Sequence, residues 1–370
     1  MRPDGGGDPQ RHRMQGLPGD PDHAFAAGEG DLVAGVSPKT VSNVLTGAAG
    51  VRQQTRAKVE SAMVELDFVP NLSARGLRNG RSGVIGFALP DVGTAFSASI
   101  THAMLEVAHE RGVMIQIEET AAEPEREYDL VSRARTHQVD GLILNPVRLE
   151  DSVVERLDHL PPPVVLIGEV EQHRTDRVFV NSRAAGRLSA EHMIDQGARR
   201  VAVLGGGLAG SEDRKATMGQ RLQGYIDGVT RRGLPAPDEL QVEVIEWTIE
   251  GGAAGMRELL RREVAFDAVI AFTDSIAMGA LYALHEAGVR VPEDVLVSGF
   301  DDVQHAAYTW PPLTTVRFDH HHYVREAMDL LAERIADRSI GPRAVEIPHA
   351  LTARRSSDAW PAGYVPPSGR

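Results

Sequence analysis

The sequence predicts an α/β protein in which a small all-α head precedes a body of two lobes with parallel sheets. From residue 82 onward, short apolar runs alternate with helical patterns of about 10 to 15 residues. Strands that are apolar on both faces and separated by helices are typical of a covered parallel sheet. There are nine such runs, too many for one small sheet, which indicates two lobes. The runs are Val84–Leu89, Val113–Ile117, Gly141–Asn145, Val164–Ile167, Val178–Val180, Val201–Leu204, Val242–Trp247, Ala268–Phe272 and Val295–Ser298.

Length and composition restrict the class of protein. The chain has 370 residues, enough for two or three compact units, and its lack of cysteine excludes disulfides, thiolate metal sites and cysteine nucleophiles. No apolar run reaches the length of a bilayer span, and the first residues lack the pattern of a secretion signal. We therefore expect a cytoplasmic protein without a membrane partner. The net charge of −13 taken alone argues against a nucleic-acid partner.

The charge is unevenly distributed along the chain. Residues 1–30 carry a net charge of −2, residues 31–81 carry +3, and the remainder carries −14. The first segment has seven glycines, four prolines and no apolar period, so we expect a disordered tail there and a second flexible tail at 359–370. The basic excess lies in the small head, and the acidic total therefore does not exclude DNA.

Residues 35–47 (GVSPKTVSNVLTG) have the pattern of a short helix after a tight turn. Ser37 is a good N-cap, Pro38 suits the first helical position, and Gly47 is placed to end the helix. A second helical pattern covers Thr55–Leu66. In each helix three apolar residues share one face, so that the two faces can pack together. These residues are Val41, Val44 and Leu45 in the first helix, and Val59, Met63 and Leu66 in the second.

The first of these helices carries short polar side chains. A helix presented by a tight turn is how the second helix of a helix-turn-helix motif enters the major groove. We expect contacts to phosphates and base edges from the start and the polar face of the helix. The candidates are Ser37, Pro38, Lys39, Thr40, Ser42 and Asn43. On spacing alone, a small helical hairpin without a DNA partner fits as well.

The next segment, residues 68–82 (FVPNLSARGLRNGRS), leads directly into the first strand. Together with GVSPKTVSNVL it resembles the lactose-repressor and galactose-repressor (LacI/GalR) family of bacterial transcription regulators. The resemblance implies a helix-turn-helix domain at 31–68, a hinge helix at 69–81 that folds on the operator, and a Rossmannoid, periplasmic-binding-protein-like body at 82–358. It further implies that Leu77 enters the minor groove as an apolar wedge, although an ordinary linker leucine is the plainer alternative. The hinge residues expected at the DNA on the same ground are Asn71, Ala74, Arg75, Leu77 and Arg78.

Two departures from the family pattern weaken the expectation of DNA binding. The first head helix, at residues 26–37, has Gly30 and Asp31 where the family has an apolar face. Glycine disfavours a helix interior, and a buried carboxylate costs more. Either the start of the chain is altered, as by a shifted reading frame, or a shorter helix packs Leu32 and Val33 instead. Gly76 should also weaken the free hinge helix, so that DNA binding is ancestral here and could be impaired.

The resemblance also implies an effector site between two lobes, at about 82–183 with 319–345 and at about 184–318 with 346–358. Ligands of parallel α/β folds bind at the carboxyl ends of the strands, where four segments match the family. The residues implied to contact the effector are Asp91, Phe96, Arg221, Trp247, Thr273 and Asp301. The alternative for Asp91 and Phe96 is a solvated loop with one core phenylalanine. For Arg221 it is a surface arginine, and for Trp247 it is core packing. Asp274 is expected to cap a helix rather than to bind ligand.

Other functions find less support in the sequence. The motif at Gly205–Gly210 satisfies GxGxxG, but no acidic residue follows at the spacing of a dinucleotide site. His320, His321 and His322 are consecutive, so their side chains diverge on a helix and do not predict a metal site. We expect no cofactor and no enzyme activity. A periplasmic solute-binding protein and a ligand sensor without DNA binding remain the rival interpretations.

We therefore interpret the chain as a transcription regulator, most simply a repressor, that binds operator DNA and a small-molecule effector, a carbohydrate by resemblance. Residues 357–370 show no tetramerising heptads, which favours a homodimer.

Overall fold

A computed structural model describes residues 35–45, 50–66, 82–135, 139–146, 163–169, 174–206 and 217–358. The chain divides into two units, one within residues 1–74 and one within residues 75–370. Several sequence predictions lie outside the described residues: the two tails, residues 26–34 of the first head helix, Gly47 and the hinge helix. Among the helices that are described, none has both the length and the apolar character needed to cross a bilayer.

The described part of the head contains helices α1 (Pro38–Leu45) and α2 (Gln53–Glu65). Ser37 caps α1 as predicted, because its Oγ accepts a hydrogen bond of 3.3 Å from the backbone N–H of Thr40. Leu66 was predicted to share the packed face, but it follows the last turn of α2 and is 37% exposed. The small core between the helices consists of Val41, Val44, Val59 and Ala62, with Met63 partly buried against it.

The first lobe of the body is a six-stranded parallel sheet with helices packed against it. Its strands are β1 (Val84–Leu89), β2 (Met114–Glu119), β3 (Gly141–Leu144), β4 (Val164–Ile167), β5 (Asp176–Val180) and β11 (Ala344–Ile347). The strand order is β11-β5-β4-β3-β1-β2. Its helices are α3 (Ala95–Arg111), α4 (Pro124–Arg135) and α9 (His320–Ala336). Strands β1, β3 and β4 are almost wholly apolar and buried, which is why they form the centre of a covered sheet, whereas the edge strand β2 is largely exposed.

The second lobe repeats this architecture with one strand reversed. Its strands are β6 (Val201–Leu204), β7 (Gln241–Val242), β8 (Ala268–Ala271), β9 (Leu296–Phe300), β10 (Thr314–Phe318) and β12 (His349–Thr352). The order is β12-β10-β9-β8-β6-β7, and β12 pairs antiparallel with β10. Its helices are α5 (Ser182–Asp195), α6 (Thr217–Arg231), α7 (Ile249–Arg261) and α8 (Asp274–Glu286), and short 3₁₀ turns lie at Asp238–Leu240, Gln304–Tyr308 and Arg355–Ser357.

The α/β fold class is confirmed, but three details of the prediction were wrong. The described residues contain twelve strands rather than nine, because β10, β11 and β12 are mixed in polarity and lack a continuous apolar run. The sheet of the second lobe is not wholly parallel, because the last strand returns along its edge. Finally, β7 ends at Val242, so that Trp247 lies in the loop before α7 and not at the end of a strand.

The chain passes three times between the lobes, after β5, after β10 and after β11. Apolar residues join the lobes near the second crossing. Phe300 of β9 and Val316 of β10 are buried in the same cluster as the first-lobe residues Phe87 and Tyr323. The residues at the carboxyl ends of the strands of both sheets are therefore brought to one junction.

A buried ion pair fixes the C-terminal segment to the first lobe. Asp176 at the start of β5 is fully buried, and its carboxylate accepts hydrogen bonds from Arg334 of α9 at 2.8 Å and from Arg343 at 3.2 Å. Burial by itself raises the pKa of Asp176, but the two arginines outweigh it and hold the pKa below its ordinary value. The carboxylate is therefore ionised at neutral pH and joins β5 to the segment that carries β11.

Candidate functional site

The arginine of helix α6 is the centre of the junction between the lobes. Arg221 is only 7% exposed, and its Nη1 donates to the carbonyl of Phe272 at the end of β8. Its Nε donates to Ser182 Oγ at 3.4 Å, and its planar face lies 3.4 Å from the centroid of Phe300. The guanidinium carbon is also 5.5 Å from the Trp247 ring. Arg221 is therefore held by residues of four different segments, and its charge lies close to two aromatic rings.

Two glycines bring Arg221 into this position. Helices α5 and α6 pack with their backbones close together, because Gly186 and Gly224 have no side chain at the crossing. A Cβ on Gly186 would lie 2.5 Å from the backbone oxygen of Arg221, and one on Gly224 would collide with the carbonyl of Arg183. The glycine of the QRLQGY segment thus has a packing role, and the close approach places Ser182 beside Arg221.

Asp301 provides the nearest negative charge. It follows β9, is 3% exposed, and its Oδ1 is 3.8 Å from Arg221 Nη2. Burial raises the pKa of Asp301 to about 7, and Arg221 acts in the opposite direction. The backbone of Asp301 has φ +112°, a conformation that costs a non-glycine residue on the order of 1–3 kcal/mol. Such strain persists where surrounding contacts over-determine a position; here the backbone N–H of Asp301 donates to the carbonyl of Val316 at 2.9 Å, and its carbonyl oxygen lies 3.0 Å from His320 Nε2.

Thr273 takes the helix cap that the sequence predicted for Asp274. Thr273 is the N-cap of α8, since its Oγ1 accepts a hydrogen bond of 3.1 Å from the N–H of Ile276. Asp274 was predicted to be that cap, but its carboxylate accepts instead from Val303 N at 2.9 Å and from Thr315 Oγ1 at 2.6 Å. Burial and the neighbouring Asp301 raise the pKa of Asp274 well above its ordinary value.

Glu169 is a further carboxylate at the junction that the sequence prediction missed. It lies two residues after β4, and its Oε1 accepts a hydrogen bond of 2.5 Å from the N–H of Ser182, while Arg221 is close enough to act on it electrostatically. Burial raises the pKa of Glu169 to about 7. Its other oxygen, Oε2, is buried without a hydrogen-bond partner. The available signal was an acidic residue just past an apolar strand, a position that Asp301 also has after β9.

The loop before α7 places Trp247 against this group. Thr248 caps α7 by accepting a hydrogen bond of 3.0 Å from Gly251 N, which fixes the residue before it. Trp247 is half-buried against the core of the second lobe, and its indole Nε1 is buried without a partner. The junction thus holds one buried acceptor and one buried donor that the described residues leave unpaired.

Of the two candidates after β1, only Phe96 packs beside residues of the junction. Phe96 of α3 packs 6.2 Å from Phe318 and 5.9 Å from His320, measured between ring centroids. Asp91 does not share this position, since its Oδ1 closes its own loop by accepting from Gly93 N at 2.7 Å.

The three consecutive histidines have different partners. His320 Nε2 lies 3.0 Å from the carbonyl oxygen of Asp301, and burial lowers the pKa of His320, which keeps the ring neutral. His321 pairs with Glu106 and His322 with Glu326, at 3.4 and 3.3 Å.

The candidate DNA interface is described only in part. Lys39 is exposed on α1, while Thr40 and Asn43 are half-buried. Pro38 and Ser42 lie on the same helix. The five hinge candidates, Asn71, Ala74, Arg75, Leu77 and Arg78, lie outside the described residues, so their roles stay predictions.

Comparison with known proteins gives a consistent result along most of the chain. Residues 32–71 match the family model described as bacterial regulatory proteins, lacI family, and residues 190–357 match a periplasmic binding protein-like domain. The transcriptional regulator CelR of Thermobifida fusca is 32% identical over 332 residues, which cover 88% of this chain and 96% of CelR.

Solved structures show the same similarity. A lac repressor dimer bound to operator and the anti-inducer ONPF has a TM-score of 0.75 at 26% identity, covering 89% of this chain and 98% of the repressor chain. A complex of the regulator CelR with cellobiose has a TM-score of 0.67 at 29% identity, covering 89% and 99%.

Proposed function

Since the chain belongs to the LacI family of bacterial regulatory proteins, we propose that it represses transcription as a dimer that binds operator DNA and is controlled by a carbohydrate effector. The observation that carries the effector part is the buried group between the lobes, in which Arg221, Asp301 and Glu169 meet Trp247. Ionisable side chains with strongly shifted pKa values beside an aromatic ring, at the junction of two lobes, are typical of a ligand site.

The composition of this group supports a carbohydrate. Carboxylates and a guanidinium bind hydroxyl groups through charge-assisted hydrogen bonds, and an indole face packs against the apolar face of a sugar ring. The similar regulator CelR is titled as a complex with cellobiose. Arg221, Trp247 and Asp301 are the proposed contacts, with Phe96 beside the junction. Asp91 and Thr273 act within the protein, through the loop after β1 and the cap of α8.

The head supports the DNA part of the proposal. Helix α1 is capped by Ser37 and packed on α2, which leaves Lys39 exposed. We propose that the polar residues of α1 read the major groove and that Leu77 of the hinge enters the minor groove. The similar lac repressor structure is titled as a dimer bound to operator, and a dimer places two such helices on the two halves of an operator.

Effector and operator are coupled in this proposal through the two lobes. Effector bound between the lobes changes their closure, which alters the spacing of the two hinges in the dimer. The factor by which effector changes the affinity for operator is the same as the factor by which operator changes the affinity for effector. The proposed parts are the head at 31–68, the hinge at 69–81 and the body at 82–358. Operator DNA places the protein in the cytoplasm, and the proposal ascribes no catalytic step to the cleft.

A gel-shift assay on the DNA upstream of the gene tests this function. We expect retardation by the full chain, its reversal or enhancement by a carbohydrate, and loss of that response in Asp301→Asn with DNA binding retained. The alternative is a ligand sensor whose head is impaired. In that case the chain itself would not retard DNA, but a variant in which Gly30 and Asp31 are replaced by leucine and alanine would.

A further inference from the structure

A carboxylate of the first lobe holds the residues with which the body begins. Asp140 lies directly before β3, and its Oδ2 accepts a hydrogen bond of 2.8 Å from the backbone N–H of Gly83. Its Oδ1 accepts from the backbone N–H of Ser82 and, at 3.0 Å, from the hydroxyl group of the same residue. Ser82 and Gly83 immediately precede β1, so one side chain fixes the direction in which the chain enters the first strand.

Asp140 is itself held by the sheet. Its backbone N–H donates to the carbonyl of Val84 at 2.8 Å, next to the paired residues of β1 and β3. The following residue, Gly141, lies so close to α9 that an added Cβ would be 2.7 Å from Leu331 Cδ1. Strand β3 lies between β1 and β4. The carboxylate is therefore carried by the packed centre of the sheet and can hold the start of β1 in a fixed position.

The second lobe has the same arrangement at the corresponding place. Asp267 lies directly before β8, and its carboxylate accepts from the backbone N–H groups of Arg199 and Arg200 at 2.8 and 2.9 Å. These two residues immediately precede β6, as residues 82 and 83 precede β1. In each lobe, an aspartate before the third strand thus binds two consecutive N–H groups before the first strand. We call each of these arrangements an aspartate clamp.

The two aspartate clamps differ in the segment that leads to them. Arg199 and Arg200 come shortly after α5, so the clamp of Asp267 closes a connection within the second lobe. Ser82 and Gly83 instead follow residues 69–81, the proposed hinge. Among the described residues, Asp140 is the one side chain that accepts hydrogen bonds from the N–H groups of residues 82 and 83. The clamp of the first lobe therefore lies where the head and hinge are joined to the body.

We propose that Asp140 is a positioning residue for DNA binding, because it fixes the direction in which the hinge leaves the body. In a dimer, two such clamps present the two hinges to the operator in one arrangement. This inference rests on the proposed function and adds to it a residue of the body. Without the clamp, residues 82 and 83 of each chain gain backbone freedom, which operator binding must remove again at a cost in affinity.

Two matched substitutions test this role in the full-length protein. Asp140→Asn and Asp267→Asn keep the size of the side chain but replace one acceptor oxygen by an NH₂ group, which cannot accept from a backbone N–H. Both should lower the melting temperature by a similar amount, about 2–6 °C. In gel shifts on the DNA upstream of the gene, Asp140→Asn should weaken binding by at least about tenfold, whereas Asp267→Asn should stay within about twofold of the wild type.

Hydrogen exchange followed by mass spectrometry shows whether each substitution acts locally. Exchange should rise at the start of β1 in Asp140→Asn and at the start of β6 in Asp267→Asn, while the other strands stay protected. Ser82→Ala is a milder second variant that removes only the hydroxyl contact, and it should weaken operator binding by about threefold.

The outcomes separate this inference from the proposed function. Equal operator affinity of Asp140→Asn and Asp267→Asn would overturn the inference and leave the regulator intact, because the clamp would then only stabilise its lobe. If DNA is retarded only by the variant with Gly30 and Asp31 replaced, the same substitutions are compared in that variant. If neither that variant nor the wild type retards DNA, the proposed function is wrong and the inference is wrong with it.

Discussion

Replacing Glu169 by glutamine should change how the stability of the protein depends on pH, without any ligand. Glutamine keeps the shape of the side chain and can still accept the hydrogen bond from Ser182 N, but it is neutral at every pH. In the wild type, burial raises the pKa of Glu169 from 4.5 to about 7. Between these values the folded protein keeps a proton that the unfolded chain has lost, so stability present below pH 4.5 is lost as the pH rises through 7.

The size of the effect follows from the shift. A change of one pKa unit corresponds to about 1.4 kcal/mol, so the shift at Glu169 corresponds to about 3 kcal/mol as an upper value. The free energy of unfolding of Glu169→Gln should therefore rise relative to that of the wild type by up to about 3 kcal/mol between acid and pH 8. The neighbouring Asp301 and Asp274 contribute to both proteins and largely cancel in the difference.

Urea unfolding at a series of pH values, at equal protein concentrations, measures this difference. Glu243→Gln, which removes an exposed carboxylate, serves as the control. If the difference in free energy of unfolding between Glu169→Gln and the wild type stays constant with pH, the pKa of Glu169 is not raised in the folded protein. That result would refute the claim that burial of this carboxylate outweighs its favourable contacts. A difference that falls with rising pH would mean that the folded state stabilises the carboxylate, which reverses the electrostatics proposed for the cleft.

Three further substitutions test the fold and the head. Asp176→Asn should lower the free energy of unfolding by about 3–5 kcal/mol, because it leaves two arginines without their buried partner. The control Asp329→Asn, at an exposed ion pair, should lower it by about 1 kcal/mol or less. Urea unfolding measures both variants. Gly224→Ala should destabilise the protein by about 1–3 kcal/mol and weaken effector binding, since α5 and α6 must separate. Unchanged affinity in calorimetry with the effector would show that the close approach of the two helices does not position Arg221. Lys39→Ala should weaken operator binding and reduce the slope of log affinity against log salt concentration by about 1, as measured by gel shifts at several salt concentrations. An unchanged slope would show that Lys39 does not contact a phosphate.

The sequence predicted secondary structure best where a local pattern fits only one kind of element. Continuous apolar runs such as Val164–Ile167 identified the central strands, because only a strand covered on both faces is apolar throughout. The cap at Ser37 was also predicted correctly, because a serine followed by proline is typical of a helix start. Strands β10, β11 and β12 were missed because edge or partly exposed strands mix polar and apolar residues, and their identity depends on partners far along the chain.

The candidate site was predictable in its parts but not in its pairings. Arg221 and Asp301 could be named from the resemblance, and the structure brings them together. Nothing local indicated that Thr273 rather than Asp274 caps α8, since both are good N-cap residues and the choice depends on Val303 and Thr315 from elsewhere in the lobe. Glu169 was missed because the importance of an acidic residue after a strand depends on what the other lobe places opposite it.

The position of β11 and β12 has a consequence for synthesis of the protein on the ribosome. These two strands lie close to the C-terminal end of the body, yet each completes the edge of a different sheet. Neither lobe can acquire its full sheet until nearly all of the body has emerged, although most of the first lobe is translated early. The two lobes must therefore finish folding together, and a nascent chain halted before β11 would leave an open sheet edge in each lobe, exposed to pairing with other chains.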